Sequence, residues 1–140
     1  MAWSDYVVEH TPRNTYMTQR GLVYLMAPYS SVKDKARLMQ AVYQLACQYM
    51  KEHPHTQVVS PLFYHYAVGV VPGIEGDWDF WEDYSIGLMR KCDSAIMLQW
   101  EDGGVEYWKT SKGIHEETRL LASMQIPIVA RFSPELKLVG

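Results

Sequence analysis

Four short apolar stretches alternate with amphipathic ones along the 140-residue chain. Leu22–Ala27 is a compact apolar run ended by Pro28 and reads as a buried strand. Val32, Ala36, Met39, Tyr43, Ala46 and Met50 then recur at steps of four and three, one face of a helix of about five turns. Ser30 or Ser31 is placed to cap that helix, and Pro54 prevents its continuation. Gln57–Phe63 reads as a second strand, with Pro61 at its end or at an irregularity. After a loop with Pro72, Gly73 and Gly76, Asp77 can cap a helix running to about Lys91. Asp79, Glu82 and Asp83 lie toward its start and Arg90 and Lys91 at its end, the order the helix dipole favours. Ser94–Trp100 is a third strand, and the loop Glu101–Thr110 follows with Gly103 and Gly104. A helix opening at Ser111 or Lys112 runs to about Gln125, and Ile126–Phe132 is a fourth strand. Residues 1–20 show no sustained periodicity and read as an extension, a lid or an interface arm, ahead of one domain over residues 21–140.

Strand and helix alternate, and the strands are almost continuously apolar. That pattern predicts an α/β fold with a parallel sheet covered on both faces. Right-handed crossovers reduce the choice of topology. The expected order is 2-1-3-4, with room for a fifth strand. In such sheets ligands sit beyond the strand carboxyl ends, where the order reverses. Here that crevice is bounded by Pro28–Ser31 and Glu101–Gly113.

Composition narrows the function. With 13 basic and 16 acidic residues the net charge is −3, so no basic face for nucleic acid is expected. No apolar run approaches the roughly 20 residues of a membrane span. The first residues lack a basic start and an apolar core, so no signal peptide is expected and the cytoplasm is the default location. Cys47 and Cys92 are the two cysteines; they sit in no metal-binding spacing and read as buried apolar thiols. The eight methionines read as core filler. His53, His55, His65 and His115 carry no pattern of their own.

Three segments can carry chemistry, and each has a plainer reading beside it. Ala27, Pro28, Tyr29, Ser30 and Ser31 place hydroxyls and backbone N–H groups at a strand-to-helix turn, an anion-binding arrangement or simply a capped helix. The segment matches neither a P-loop nor a dinucleotide fingerprint. Ser111, Gly113 and Glu117 stand at the start of a helix facing the crevice. A carboxylate there can attack an anomeric carbon, although Glu116 and Glu117 can equally be ordinary first-turn acids. Gly76–Ser85, GDWDFWEDYS, offers an aromatic wall for a nucleobase with nearby acids, or an amphipathic helix with core aromatics. A metal cluster of Asp77, Asp79 and Asp83 is disfavoured because side chains two apart on a helix diverge.

Taken together, YLMAPYSS, SPLFYH, GDWDFWED…LMRKCDSAIML and SKGIHEETRLLASMQIPI resemble the nucleoside 2-deoxyribosyltransferase-like superfamily, over about Gly21 to Ile128. The likeness is to a bacterial and phage branch with YLxxPYS and GDWxFW motifs, similar to nucleoside 5′-monophosphate N-glycosidases. It implies a flavodoxin-like three-layer sandwich, no metal or organic cofactor, and a homo-oligomer, dimer or larger. It also implies that Glu117, four residues after Gly113, is the nucleophile. Six residues before it, where transferases on free nucleosides tend to carry aspartate, stands Ser111, which suits a 5′-phosphate. One departure is clear: many relatives carry an assisting aspartate where this chain has Ser85. Asp83 is turned about 200° from Ser85, whereas Glu82 lies about 60° from it and is the better stand-in.

The resulting expectation is hydrolysis of a nucleoside 5′-monophosphate at its N-glycosidic bond. Glu117, Glu82 and Ser85 are its catalytic candidates. Ser111, Ser30 and Ser31 would hold phosphate, and Trp78, Trp81 and Tyr64 would frame the base. The expected partner is a small nucleotide or nucleoside, with no nucleic acid and no membrane. The alternatives are a non-catalytic nucleotide-binding or sensing module and a transferase acting on free nucleosides.

Overall fold

A computed structural model describes residues 21–69 and 78–140, with the side chains of residues 65, 67–69 and 78–80 left aside. The extension over residues 1–20 and the Asp77 cap lie outside the described residues. Along the chain run β1 (Gly21–Met26), α1 (Lys35–Glu52), β2 (Thr56–Val59), α2 (Leu62–Gly69), α3 (Trp78–Met89) and β3 (Ser94–Leu98). Then come β4 (Glu101–Asp102), β5 (Val105–Glu106), α4 (Tyr107–Thr110), α5 (Lys112–Ser123) and β6 (Ile128–Phe132).

The main sheet is parallel with the order β2-β1-β3-β6, the expected 2-1-3-4 arrangement. Among the described residues no fifth strand joins it. β1 is central, with Tyr24 opposite Val59 on one side and Ala95 on the other. Because side chains alternate across a strand, β1 serves both layers. Val23, Leu25 and Ala27 enter a core with Ile96 and Leu98 of β3 and Leu38, Val42 and Leu45 of α1. Tyr24 and Met26 enter a second core with Ala95 and Met97, Met89 and Cys92 at the end of α3, and Ile114 and Leu121 of α5. The result is the three-layer, flavodoxin-like sandwich.

Several local expectations are corrected. α1 starts at Lys35, and its cap is Asp34, whose carboxylate accepts from the Arg37 N–H at 3.1 Å, not Ser30 or Ser31. Its buried face comprises Leu38, Met39, Ala41, Val42, Leu45, Ala46 and Tyr49, whereas Ala36 and Tyr43 are exposed. The larger aliphatic residues outcompete the expected row, and Tyr43 instead stacks on Phe63 of α2. The second strand ends at Val59, and Leu62–Gly69 is helical. Pro61 cannot extend a hydrogen-bonded strand but suits a first helical turn, and Ser60 Oγ accepts from the Leu62 N–H at 3.2 Å. The stretch 101–110 is a hairpin plus a helical turn, not an open loop. Gly103 and Gly104, at φ 59° and 80°, supply the two positive φ angles of a tight hairpin. Cys47 is exposed, contrary to expectation, while Cys92 is buried.

β6 is an edge strand, and residues 137–139 fold back along part of it. Val139 donates to the Arg131 carbonyl at 2.9 Å, Ser133 donates to the Lys137 carbonyl at 2.8 Å, and Phe132 bridges Leu138 in antiparallel sense. Among the described residues, no helix is long and apolar enough to cross a membrane.

Candidate active site

A tyrosine within an apolar strand must find a partner for its hydroxyl. Tyr24 is wholly buried on the α3/α5 side of the sheet, and its hydroxyl donates to Glu117 Oε2 at 2.5 Å. Glu117 is 9% exposed, on the inward face of α5 beside Ile114 and Leu121. Glu116, the adjacent acid, faces out and pairs with Arg119. The two acids are therefore distinguished by position. The carboxyl that enters the protein is the one the motif spacing selects.

Burial disfavours the charged form of Glu117 and pushes its pKa up to about 7, while the Tyr24 hydrogen bond pulls the other way. The Tyr24 hydroxyl is itself pushed well above the ordinary tyrosine value, first by burial and then by the neighbouring Glu117 carboxylate. Ser85 acts in the opposite direction. Ser85 is buried on α3, on one stripe with Trp81, Met89 and Cys92. Tyr24, Ser85 and Glu117 come from three different elements: β1, α3 and α5.

The start of α5 borders the carboxyl. Ser111 caps the helix, its Oγ accepting from the Ile114 N–H at 3.1 Å. The hydroxyl proton remains available to a ligand, since a serine hydroxyl both accepts and donates. A Cβ added at Gly113 would stand 3.7 Å from Ser111 Oγ and 3.9 Å from Glu117 Oε1. Glycine thus leaves the flank of Oε1 open, while Tyr24 engages Oε2. Ser111 and Gly113 stand beside Glu117 at the start of α5, and Tyr24 meets the same carboxyl from β1. The apolar pattern places Tyr24 in the strand core and does not show the carboxyl that its hydroxyl meets. The available signal was a phenol among aliphatic residues, one position out of phase with Val23 and Leu25.

The remaining candidates are distributed around this centre. Ala27 and Pro28 are buried at the end of β1, Tyr29 is half-buried, and Ser30 and Ser31 are exposed in the turn. The ring of Tyr29 packs on the α1 side of the sheet, with Lys35 Nζ 5.4 Å from its centroid. Glu82 is half-buried and acts electrostatically on Arg119. The influences on the Glu117 carboxyl are burial and Tyr24. Trp81 is buried and meets Tyr84 edge to face at 6.1 Å; Tyr84 meets the exposed Tyr64 in the same way at 6.1 Å. Tyr84 was not among the expected residues, yet it joins Tyr64 to the α3 stripe. The side chains of Trp78 and His65 lie outside the described residues.

A cleft of about 870 Å³ lies elsewhere on the carboxyl-end rim. Gln99–Gly104, Ser133–Glu135 and Arg37 contribute to its lining. It is open and polar, and Arg37 crosses it to Asp102 at 2.9 Å. The indole N–H of Trp100 meets no acceptor among the described residues. Glu117 does not line this cleft. This cleft and the Glu117 carboxyl are therefore separate features. Among the described residues, no group of three or more His, Cys, Asp or Glu side chains is arranged to hold a metal ion.

No family model matches the chain, and no curated protein matches it significantly. Among solved structures it is similar to a 2-deoxyribosyltransferase from the psychrotolerant bacterium Bacillus psychrosaccharolyticus. The identity is 15%, the TM-score is 0.49, and the match covers 85% of this chain and 77% of that one.

Proposed function

We propose that the protein cleaves the N-glycosidic bond of a nucleoside 5′-monophosphate, with Glu117 as nucleophile. The observation that carries this reading is a buried carboxyl with one oxygen held by the Tyr24 hydroxyl and the flank of the other kept open by Gly113. In the proposed reaction Glu117 Oε1 bonds to the anomeric carbon as the carbon–nitrogen bond breaks. The bonding pair leaves with the base, which takes a proton from water. A second water then attacks the anomeric carbon, its hydroxyl staying on the sugar and its proton leaving to solvent, and the carboxylate is regenerated. The Tyr24 hydrogen bond fixes the carboxyl orientation before attack. The Ser111 hydroxyl and the start of α5 suit a phosphate, because the positive end of the helix favours an anion.

The test is release of free base from ribo- and deoxyribonucleoside monophosphates and from free nucleosides, followed by chromatography. The expected result is release from a monophosphate by the wild type, with the Glu117→Gln protein binding but not turning over. Persistent release by Glu117→Gln would overturn the assignment. Base exchange between free nucleosides without any 5′-phosphate would point to a transferase instead.

A second reading is a nucleotide-binding module without turnover. It is favoured by Ser85, a hydroxyl where an assisting carboxylate would be expected, and by a carboxyl held near half ionisation at neutral pH. Its mark would be a melting temperature raised by a monophosphate with no base released in long incubation.

A further inference from the structure

We infer that Lys35 is a positioning residue for the β1–α1 turn, whose N–H groups its ammonium turns outward as donors for the 5′-phosphate of the substrate. The inference deepens the proposed function and rests on it for the identity of the ligand. It gives a task to Ser30 and Ser31, the exposed serines of a turn that does not cap α1.

Residues 29–32 close a four-residue turn, in which the Val32 N–H donates to the Tyr29 carbonyl at 3.0 Å. Lys35, at the start of α1, reaches back over it. Its Nζ donates to the Val32 carbonyl at 2.9 Å and to the Ser30 carbonyl at 3.3 Å. The same Nζ lies 5.4 Å from the centroid of the Tyr29 ring, within range of a cation–π attraction. One half-buried side chain thus meets Tyr29, Ser30 and Val32 together.

The planarity of the peptide sets the consequence. Across a trans bond the carbonyl of one residue and the N–H of the next point in opposite directions, and none of these bonds is cis. With the Ser30 and Val32 carbonyls drawn toward Lys35, the N–H groups of Ser31 and Lys33 point away from it. Among the described residues, neither donates to a backbone carbonyl. Neighbouring N–H groups left unspent in a turn form a concavity that suits an anion. The Ser30 and Ser31 hydroxyls stand in the same turn and can donate as well.

The turn stands at the carboxyl end of the central strand, the end at which an open parallel sheet takes its ligands. Tyr24, which holds Glu117, precedes Ala27 by three residues of extended backbone, about 10 Å. In the proposed complex the anomeric carbon lies at Glu117 and the phosphate extends toward the turn, with Ser111 on the β3 side. The neighbouring charges leave the turn to Lys35. Asp34 accepts from the Arg37 N–H, and Arg37 is paired with Asp102 at 2.9 Å. Lys33 is exposed and, among the described residues, pairs with no carboxylate.

The experiment titrates inorganic phosphate and ribose 5-phosphate into the 15N-labelled full chain and follows the Ser31 and Lys33 amides by NMR. In the wild type both resonances should move along one saturating curve. Lys35→Met keeps the aliphatic stem and removes the donors and the charge. Its dissociation constant should rise about tenfold, because the loop must then be ordered on binding. Lys33→Met removes the same charge without a hold on the turn, and should change the constant by no more than about twofold. Lys35→Arg, which can donate to both carbonyls, should recover most of the loss. With a monophosphate as substrate, Lys35→Met should raise KM and leave kcat unchanged, a split that a generally loosened fold does not produce.

The inference is overturned if the two amides ignore phosphate, or if Lys35→Met and Lys33→Met weaken binding equally. It fails separately from the reaction. Amides that respond through Lys35 in a protein that releases no base remove the proposed activity and keep the role of Lys35. Base release with an unchanged KM in Lys35→Met removes that role alone.

Discussion

Folding carries the Glu117 carboxyl from water into a site where it is 9% exposed and where Tyr24 donates to it. Its pKa rises from 4.5 to about 7, so between these values the native state binds a proton that the unfolded chain has released. Stability from this group is therefore full below about pH 4.5 and is lost as the pH rises through 7. The loss amounts to about 3 kcal/mol at most. Glu117→Gln can still accept from Tyr24 but cannot ionise. Denaturant melts of that variant should be flat where the wild type weakens with pH; parallel curves would show that the carboxyl is not strained. Gly113→Ala tests the open oxygen. Its methyl would meet ordinary contacts, 3.7 Å from Ser111 Oγ and 3.9 Å from Glu117 Oε1, so folding should survive. Alanine also raises helix propensity. Base release should fall about tenfold or more through crowding of the attacking position, which steady-state rates would reveal. An unchanged rate would mean that substrate approaches from another side.

At the level of elements, the start of α5 has two roles that can be separated chemically. Ser111→Asp keeps a good cap, so the thermal midpoint should hold. A carboxylate there would repel a 5′-phosphate, and binding of a monophosphate measured by calorimetry should weaken at least tenfold. Ser111→Ala should instead cost about 1 kcal/mol through the lost cap. The elements also show what was legible beforehand. The four parallel strands followed from apolar runs separated by amphipathic ones, whereas their order was one of the few topologies left by right-handed crossovers. That Glu117 rather than Glu116 turns inward agrees with the residue that the resemblance singles out, four positions after Gly113. The helix Leu62–Gly69 did not follow, because a short apolar run after a serine and a proline has no periodicity that separates strand from helix. The hairpin around Gly103 and Gly104 was legible in principle from paired glycines between short flanks. Tyr24 was hidden for another reason: a pattern assigns a residue to a face, but not the partner that its hydroxyl meets across the sheet.

For the molecule as a whole, two cores on opposite faces of one sheet make the central strands indispensable. Ile96 is wholly buried, and Ile96→Ala should cost about 2–5 kcal/mol in chemical denaturation. The two thiols report on the same architecture. Cys47 is exposed, whereas Cys92 is buried with its pKa pushed up to about 11. Mass spectrometry after brief alkylation should find Cys47 modified in the native protein and Cys92 only on unfolding; prompt reaction at Cys92 would contradict the packing of α3 on the sheet. The returning residues 137–139 matter in a different way. An uncovered sheet edge is a template on which another chain can add a strand. Val139 occupies the Arg131 carbonyl, while Val129 two residues earlier remains 54% exposed. The returning segment is thus a guard over half of an adhesive border. A proline at position 139 would remove the N–H that closes it. The outcome would be fibre-like association of otherwise folded molecules, growing with concentration and leaving the chemistry around Glu117 untouched.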